Sequence, residues 1–310
     1  MTSPPIITTN NLVRNFKQTC AVDKLDLNIQ KGELFGLVGP DGAGKTTTLR
    51  LLAGLLYIDE GEASIAGLDL KEDSEAIKKL IGYMAQEFSL YSELSVSENL
   101  EFFAELYGLN RKLIKKRTEG LLRFAGLTGF KSRQAKHLSG GMQKKLALAC
   151  TLIHNPEILL LDEPTTGVDP ISRREFWNIL MNLNIKGTTI IVSTPYMDEA
   201  DRCSKVGFMY EGKMILCDSP VNIRTKFDSE IIIVRSPMWQ FVYDVLRNFE
   251  QIKEIQTYGE SLHLLVDSAE KQKPIIENFL LKNDIPITSI RISSPRMEEV
   301  FISLITKLEN

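Results

Sequence analysis

The chain has 310 residues, 43% of them hydrophobic and 25% charged, which supplies ample core material and is long enough to expect two domains. A net charge of −3 leaves no basic stripe for nucleic acid, and the local run RKLIKKR (Arg111–Arg117) reads as a solvated helix face, with contact to acidic lipid or a partner as the alternative. The cysteines Cys20, Cys150, Cys203 and Cys217 form no C-x-x-C pair, and MTSPPIITTN lacks the pattern of a signal peptide. No apolar run approaches the ~20 residues of a spanning helix. A soluble protein of a reducing cytosol is expected, one that would serve a membrane only through another chain.

From residue 6 to about 86 the pattern is mostly strands with one helix. LDLNI alternates as a half-buried strand, and GELFGLVG reads as a buried strand ending at glycine. GAGKTTTLRLLAGLL turns to helical periodicity until YIDEGE stops it, and EASIAG and IGYMAQ return to strand. Residues 87–145 change character. Ser95 and Glu98 stand at capping-box spacing ahead of the apolar period of SVSENLEFFAELYGL. RKLIKKRTEGLLRFAGL continues as helix, so this stretch predicts a helical subdomain inserted between two halves of an α/β core.

EILLLDEP (Glu157–Pro164) is a continuous apolar run typical of a strand covered on both faces. ISRREFWNILMNL is a helix and TTIIVSTP a further strand. The alternation predicts a mixed, mostly parallel sheet. From about residue 228 a separate α+β unit is expected. EIIIVRS is a strand, PMWQFVYDVLRNF a helix, and IKEIQTYGESLHLLVD two strands about a turn. AEKQKPIIENFLLKN is a helix despite its proline, ITSIRIS a strand, and MEEVFISLITKL a closing helix. The order β-α-β-β-α-β is that of the ferredoxin-like arrangement. The expected domains are 1–227 and 228–310.

Three stretches carry chemistry. Gly39, Pro40, Asp41, Gly42, Ala43, Gly44, Lys45 and Thr46 fit G-x-x-x-x-G-K-S/T between a buried strand and a helix that continues with Thr47. Glycines there let backbone N–H groups wrap phosphates, and the helix N-terminus adds its positive end. Lys45 would reach the β- and γ-phosphates and Thr46 would hold Mg²⁺, which makes this a P-loop NTPase core. In ILLLDEP the strand delivers Asp162 to its carboxyl end, where open α/β sheets bind ligands. Asp162 would support the Mg²⁺, and Glu163 would orient or deprotonate an attacking water; a helix cap or surface ion pair is the structural alternative. In LSGGMQKKLALAC, Ser139, Gly140 and Gly141 open a helix, either as a second anion-binding terminus or as a cap alone.

Together these stretches resemble the nucleotide-binding subunit of an ATP-binding cassette (ABC) transporter. GPDGAGKTT, LSGGMQ and LLLDEPTTGVDP occur in that family's order and approximate spacing over about residues 6–220. SVSENLEFFAELYGL, the Met after Ser-Gly-Gly, and SPRMEEVFISL are similar to the exporter branch that serves drugs, lipids and polysaccharides. The last ninety or so residues are similar to the C-terminal extension that branch often carries.

The resemblance implies ATP and Mg²⁺ as cofactors. It puts Gln86 on Mg²⁺, the attacking water and the membrane partner's coupling helix, Phe16 against adenine, and Asp169 across a dimer interface. Taken singly, Phe16 also reads as core, Gln86 as an edge polar residue, and Asp169 as a turn residue before Pro170. In the family two such domains sandwich two ATP molecules, the phosphate loop of one facing the Ser-Gly-Gly helix of the other. A transmembrane permease is therefore expected, with a second cassette as homodimer, heterodimer partner or tandem half. The chain would sit on the inner face of the membrane.

TTIIVSTP ends where the family carries a histidine that bonds the γ-phosphate. Here that position is Pro195, between Thr194 and Tyr196; His137, His154 and His263 lie elsewhere. Proline has no N–H, and loss of one donor aimed at developing charge costs roughly 10²–10³ in rate. A slow ATP site is expected, with Ser193, Thr194 or Tyr196 as candidate replacements. Three readings stand. One is an ATPase subunit powering export. Another is a non-hydrolysing ATP-gated module paired with a competent second cassette, which the retained Glu163 opposes. The third is a soluble cassette protein of DNA repair or translation, which the short insert and missing basic surface oppose.

Overall fold

The computed structural model describes residues 4–87 and 90–309. The chain divides into two compact units, the first ending at Ser219 and the second beginning at Pro220. This division lies ahead of the expected 227/228 boundary because the short helix Pro220–Thr225 belongs with the second unit, where Arg224 Nε donates to Pro295 O at 3.1 Å.

In the first unit β1 (Ile7–Phe16) and β2 (Thr19–Ile29) pair antiparallel. With β4 (Glu60–Ile65) and β5 (Leu68–Asp69) they form a sheet of order β2-β1-β4-β5. The second sheet holds β3 (Leu34–Val38), β6 (Ile81–Met84), β7 (Ile158–Asp162), β8 (Thr189–Thr194), β9 (Lys205–Tyr210) and β10 (Lys213–Asp218), in the order β10-β9-β3-β8-β7-β6. Every pairing in it is parallel except β9 with β10. All residues of β3, β7 and β8 are buried, which is why their apolar runs show no alternation.

Helix α1 (Lys45–Leu52) leaves β3 and buries Leu49, Leu51 and Leu52 in the core shared by the two sheets. One further helix, α2 (Ser74–Leu80), lies where the sequence reading has only strands and turns. It buries Ile77 alone, so it leaves no apolar period to read.

The helical insert contains α3 (Val96–Leu106) and α4 (Arg111–Phe124), and it shares a core with α5 (Gly140–Thr151). Its expected end at residue 145 falls inside α5, because Leu146, Ala149 and Cys150 pack with Val96, Leu100 and Ile114. The capping box is formed: Ser95 Oγ accepts from Glu98 N at 3.2 Å and Glu98 Oε2 accepts from Ser95 N at 2.7 Å. In α4, Arg111, Lys112, Lys115 and Lys116 are exposed while Ile114 is buried, so the basic run is a solvated face. Two helices complete the unit, α6 (Pro170–Ile185) between β7 and β8 and the short α7 (Met197–Ala200) after β8.

The second unit opens with α8 (Pro220–Thr225). It continues through β11 (Glu230–Arg235), α9 (Trp239–Leu246), β12 (Ile252–Tyr258), β13 (Ser261–Val266), α10 (Ala269–Lys282), β14 (Ser289–Ser293) and α11 (Met297–Glu309). The strand order β12-β13-β11-β14, antiparallel throughout, is the ferredoxin-like arrangement. α10 runs through Pro274, and its buried Ile276 and Leu280 lie beyond the proline, so packing holds together a helix that has lost one backbone bond.

Candidate nucleotide site

The buried strand β3 runs into Gly39, and the loop from there wraps back to the start of α1. Space demands two of its glycines. A Cβ at Gly39 would lie 2.2 Å from the Met209 carbonyl oxygen; at Gly44, with φ +100°, one would lie 2.3 Å from that of Ala21. Lys45 is 3% exposed, and its ammonium donates to Gly39 O and Pro40 O, both at 2.9 Å. It lies 3.4 Å from Glu163 Oε1. Amides at a helix start together with a buried ammonium make a cradle for anions.

The end of β7 meets this cradle. Asp162 is fully buried, and its Oδ1 accepts from Thr46 Oγ1 at 3.0 Å and from Ser193 Oγ at 2.6 Å. Glu163 takes a left-handed φ of +44°, a conformation costing on the order of 1–3 kcal/mol that the surroundings must over-determine. They do so through its N–H, which donates to both Ser193 O (3.1 Å) and Ser193 Oγ (3.0 Å). Its carboxylate Oε2 accepts from Gln86 Nε2 at 2.9 Å and from Thr166 Oγ1 at 3.3 Å. Gln86 is anchored in turn, its carbonyl accepting from Lys144 Nζ at 2.7 Å. Burial lowers the Lys144 pKa, with Asp162 and Glu163 opposing the shift.

Among the described residues no three His, Cys, Asp or Glu side chains converge. The oxygen pair Thr46 Oγ1 and Asp162 Oδ1 is the hard donor set at hand. It fits Mg²⁺, which takes one or two protein oxygens and completes its shell with phosphate and water.

A cavity of about 820 Å³ is bordered by Asp41 to Thr47, Gln86, Glu163, Pro195 and Tyr196, and by Thr19 to Ala21, with Asp162 buried behind Thr46. Phe16 is not core: it is 42% exposed, with the Arg14 guanidinium 4.8 Å from its ring centre. The structure does not gather Ser139, Gly140, Gly141 or Asp169 at this cavity. Ser139 caps α5, its Oγ accepting from Met142 N at 3.3 Å. Asp169 caps α6, its Oδ1 accepting from Ser172 N (2.9 Å) and Ile171 N (3.1 Å), bonds that hold its carboxyl below the usual range. The two helix starts abut, since a Cβ on Gly141 would lie 2.5 Å from that of Ser172.

Sequence reasoning treats Ser193 only as a spare phosphate donor. The structure makes it the hub between β7 and β8, its hydroxyl bound to Asp162 and to the Glu163 amide. The signal lies in the register: parallel pairing sets Ser193 beside Asp162. Thr194 is committed as well, donating to Glu199 Oε2 at 2.7 Å, while Glu199 Oε1 accepts from Thr165 Oγ1 at 2.8 Å. Thr165 and Thr166 lie within LLLDEPTTGVDP without a role that the motif assigns, and nothing in the sequence links them to Glu199.

Residues 22–166 match the family model of the ABC transporter. The chain is 42% identical over 221 residues to the probable multidrug ABC transporter ATP-binding protein YbhF of Escherichia coli K12, covering 71% of this chain and 38% of that protein. It thus spans well under half of YbhF. It is 37% identical to the Nod factor export ATP-binding protein I of Ralstonia nicotianae, over 72% of this chain and 70% of that protein. It is 29% identical to the linearmycin resistance ATP-binding protein LnrL of Bacillus subtilis, over 95% and 96%. Among solved structures, the cassette MJ0796 with ADP and Pi superposes with a TM-score of 0.63 at 27% identity, covering 69% of this chain and 98% of that chain. CbiO1 of Clostridium perfringens, part of a CbiONQ transporter complex, gives 0.67 at 26% identity, covering 80% and 96%. With a phosphate cradle, a buried Thr46–Asp162 pair and a Glu163–Gln86 bond around one cavity, the chain belongs to the ABC transporter family as an ATP-binding cassette.

Proposed function

We propose that this chain is the ATP-hydrolysing subunit of an exporter, driving transport through a separate transmembrane permease, and that its ATP site turns over slowly. The carrying observation is one cavity lined by a buried ammonium, by Thr46 bonded to the buried Asp162 behind it, and by a glutamate bonded to glutamine. The loop amides and Lys45 hold the β- and γ-phosphates, and Thr46 and Asp162 hold Mg²⁺, which when bound neutralises phosphate charge. Glu163 orients the attacking water and accepts its proton, with Gln86 fixing the carboxylate and touching the metal-bound side. Phe16 receives the adenine. Ser139, Gly140, Gly141 and Asp169, away from this cavity, serve the nucleotide and interface of a second cassette.

The export reading draws support from relatives named for multidrug transport, Nod factor export and linearmycin resistance. Because the chain matches 38% of YbhF, a paired or tandem second cassette is as natural as a homodimer. Among the described residues no helix is long and apolar enough to cross a membrane, so the permease is a separate polypeptide or segment and the cassette lies on the cytoplasmic face against it. Slowness follows from Pro195, which brings no N–H to the cavity.

The test is steady-state Mg-ATPase activity of the chain beside Glu163→Gln and Pro195→His. Wild type should exceed Glu163→Gln, and Pro195→His should be faster by roughly tenfold or more, a fraction of what one well-aimed donor supplies. Wild type indistinguishable from Glu163→Gln, with no gain from histidine, would overturn hydrolysis in favour of an ATP-gated module.

A further inference from the structure

The end of β8 offers the cavity few donors. Ser193 Oγ donates to Asp162 and Thr194 Oγ1 donates to Glu199, both hydroxyls being fully buried. Pro195 has no N–H. The Tyr196 amide donates back to Thr194 Oγ1 at 3.1 Å. What remains is the Tyr196 phenol, on a half-buried side chain that borders the same cavity as Lys45, Thr46 and Glu163.

We propose that Tyr196 donates from its phenol to the terminal phosphate of the bound nucleotide, acting as an affinity and discrimination contact in addition to Lys45. This rests on the nucleotide reading above. The Glu163 carboxylate borders the cavity and Asp162 lies buried behind Thr46, so a terminal phosphate placed there needs donors besides Lys45. Lys45 and the loop amides come from the β3–α1 connection, and the phenol comes from the segment that follows β8.

The ring is held for this task. The Arg173 guanidinium lies 4.9 Å from its centre and also stands 4.0 Å from Glu199 Oε1. Glu199, 1% exposed, ties Thr194 to Thr165, two residues beyond Glu163, so the loops carrying Tyr196 and Glu163 share one buried anchor. A phenol is neutral, and it grips the phosphate in the ground state as well as later. Such uniform binding improves affinity without raising turnover, which reconciles a firm hold on ATP with a slow site.

The experiment measures equilibrium binding of Mg-ATP and Mg-ADP to the full chain carrying Glu163→Gln, with and without Tyr196→Phe. Phenylalanine keeps the ring under Arg173 and removes only the hydroxyl. ATP should bind about tenfold more weakly after Tyr196→Phe while ADP stays within about twofold, the size expected for one hydrogen bond to a charged group. ATP affinity unchanged, or ATP and ADP weakened alike, would overturn the proposal while leaving the nucleotide site standing. Failure of Glu163→Gln itself to bind either nucleotide would instead bring down the site, and the Tyr196 contact with it.

Discussion

Glu163 in the first unit and Glu299 in the second are both buried carboxylates bonded to a basic side chain, and they are satisfied in different ways. Glu299 is fully buried: its Oε1 meets His263 Nδ1, and its Oε2 accepts from Arg296 N at 2.6 Å. Tyr258 packs its ring 4.5 Å from that of His263, and burial together with Glu298 and Glu299 pushes its phenol up to about 12. Each of the two carboxylate oxygens thus has a partner, one on β13 and one just ahead of α11. Glu163 holds a left-handed φ, and its partners Lys45, Gln86 and Thr166 all border a cavity with it. A buried charge closed off by fixed partners organises a core; one whose partners ring an open space is placed for a ligand.

Removing one member of each pair should separate the two cases. Lys45→Ala takes away charge-assisted bonds to phosphate and should weaken Mg-ATP binding by about 10²-fold or more, read by calorimetric titration, with the fold intact. Glu299→Ala should leave His263 buried without its acceptor and cost the second unit about 3 kcal/mol in denaturant unfolding, with ATP affinity within about twofold. Loss of ATP binding in Glu299→Ala at temperatures where the chain stays folded would break the comparison. Between these extremes, Ser193→Ala should cost about 1–2 kcal/mol and raise the Mg²⁺ needed for half-maximal activity. It removes a donor from Asp162 but leaves the Glu163 amide its bond to the Ser193 carbonyl.

What could be read beforehand follows the same divide. The phosphate loop, the Asp162–Glu163 strand end and the Ser95–Glu98 capping box are each contiguous, so local spacing exposes them. The ferredoxin-like order of the second unit follows from the alternation of strand and helix patterns. Ser193 needs the β7–β8 register before its hydroxyl is seen to meet Asp162. His263 and Glu299 stand 36 residues apart on a strand and a helix, and no periodicity links them. Helix α2 buries one residue and α8 is only six residues long, so neither leaves an apolar period that marks it in the sequence.

The smallest effects make the finest comparison, because the first unit has two serine N-caps on extended backbone that differ in their bonds. Ser95 belongs to a reciprocal pair with Glu98 at 3.2 and 2.7 Å, at the head of a helix whose first turn buries Val96 and Asn99. Ser139 makes one cap bond of 3.3 Å and is followed by the exposed Gly140. Ser95→Ala should therefore cost about 1 kcal/mol of stability with ATP turnover unchanged. Ser139→Ala should cost no more than about 0.5 kcal/mol, since its single bond is long, yet lower ATP-dependent turnover severalfold. A cap whose loss costs activity rather than stability faces a ligand, which under the proposed function would be the nucleotide held by a second cassette. Equal stability losses with turnover untouched in both variants would make Ser139 an ordinary cap and leave the start of α5 without a role in the ATP cycle.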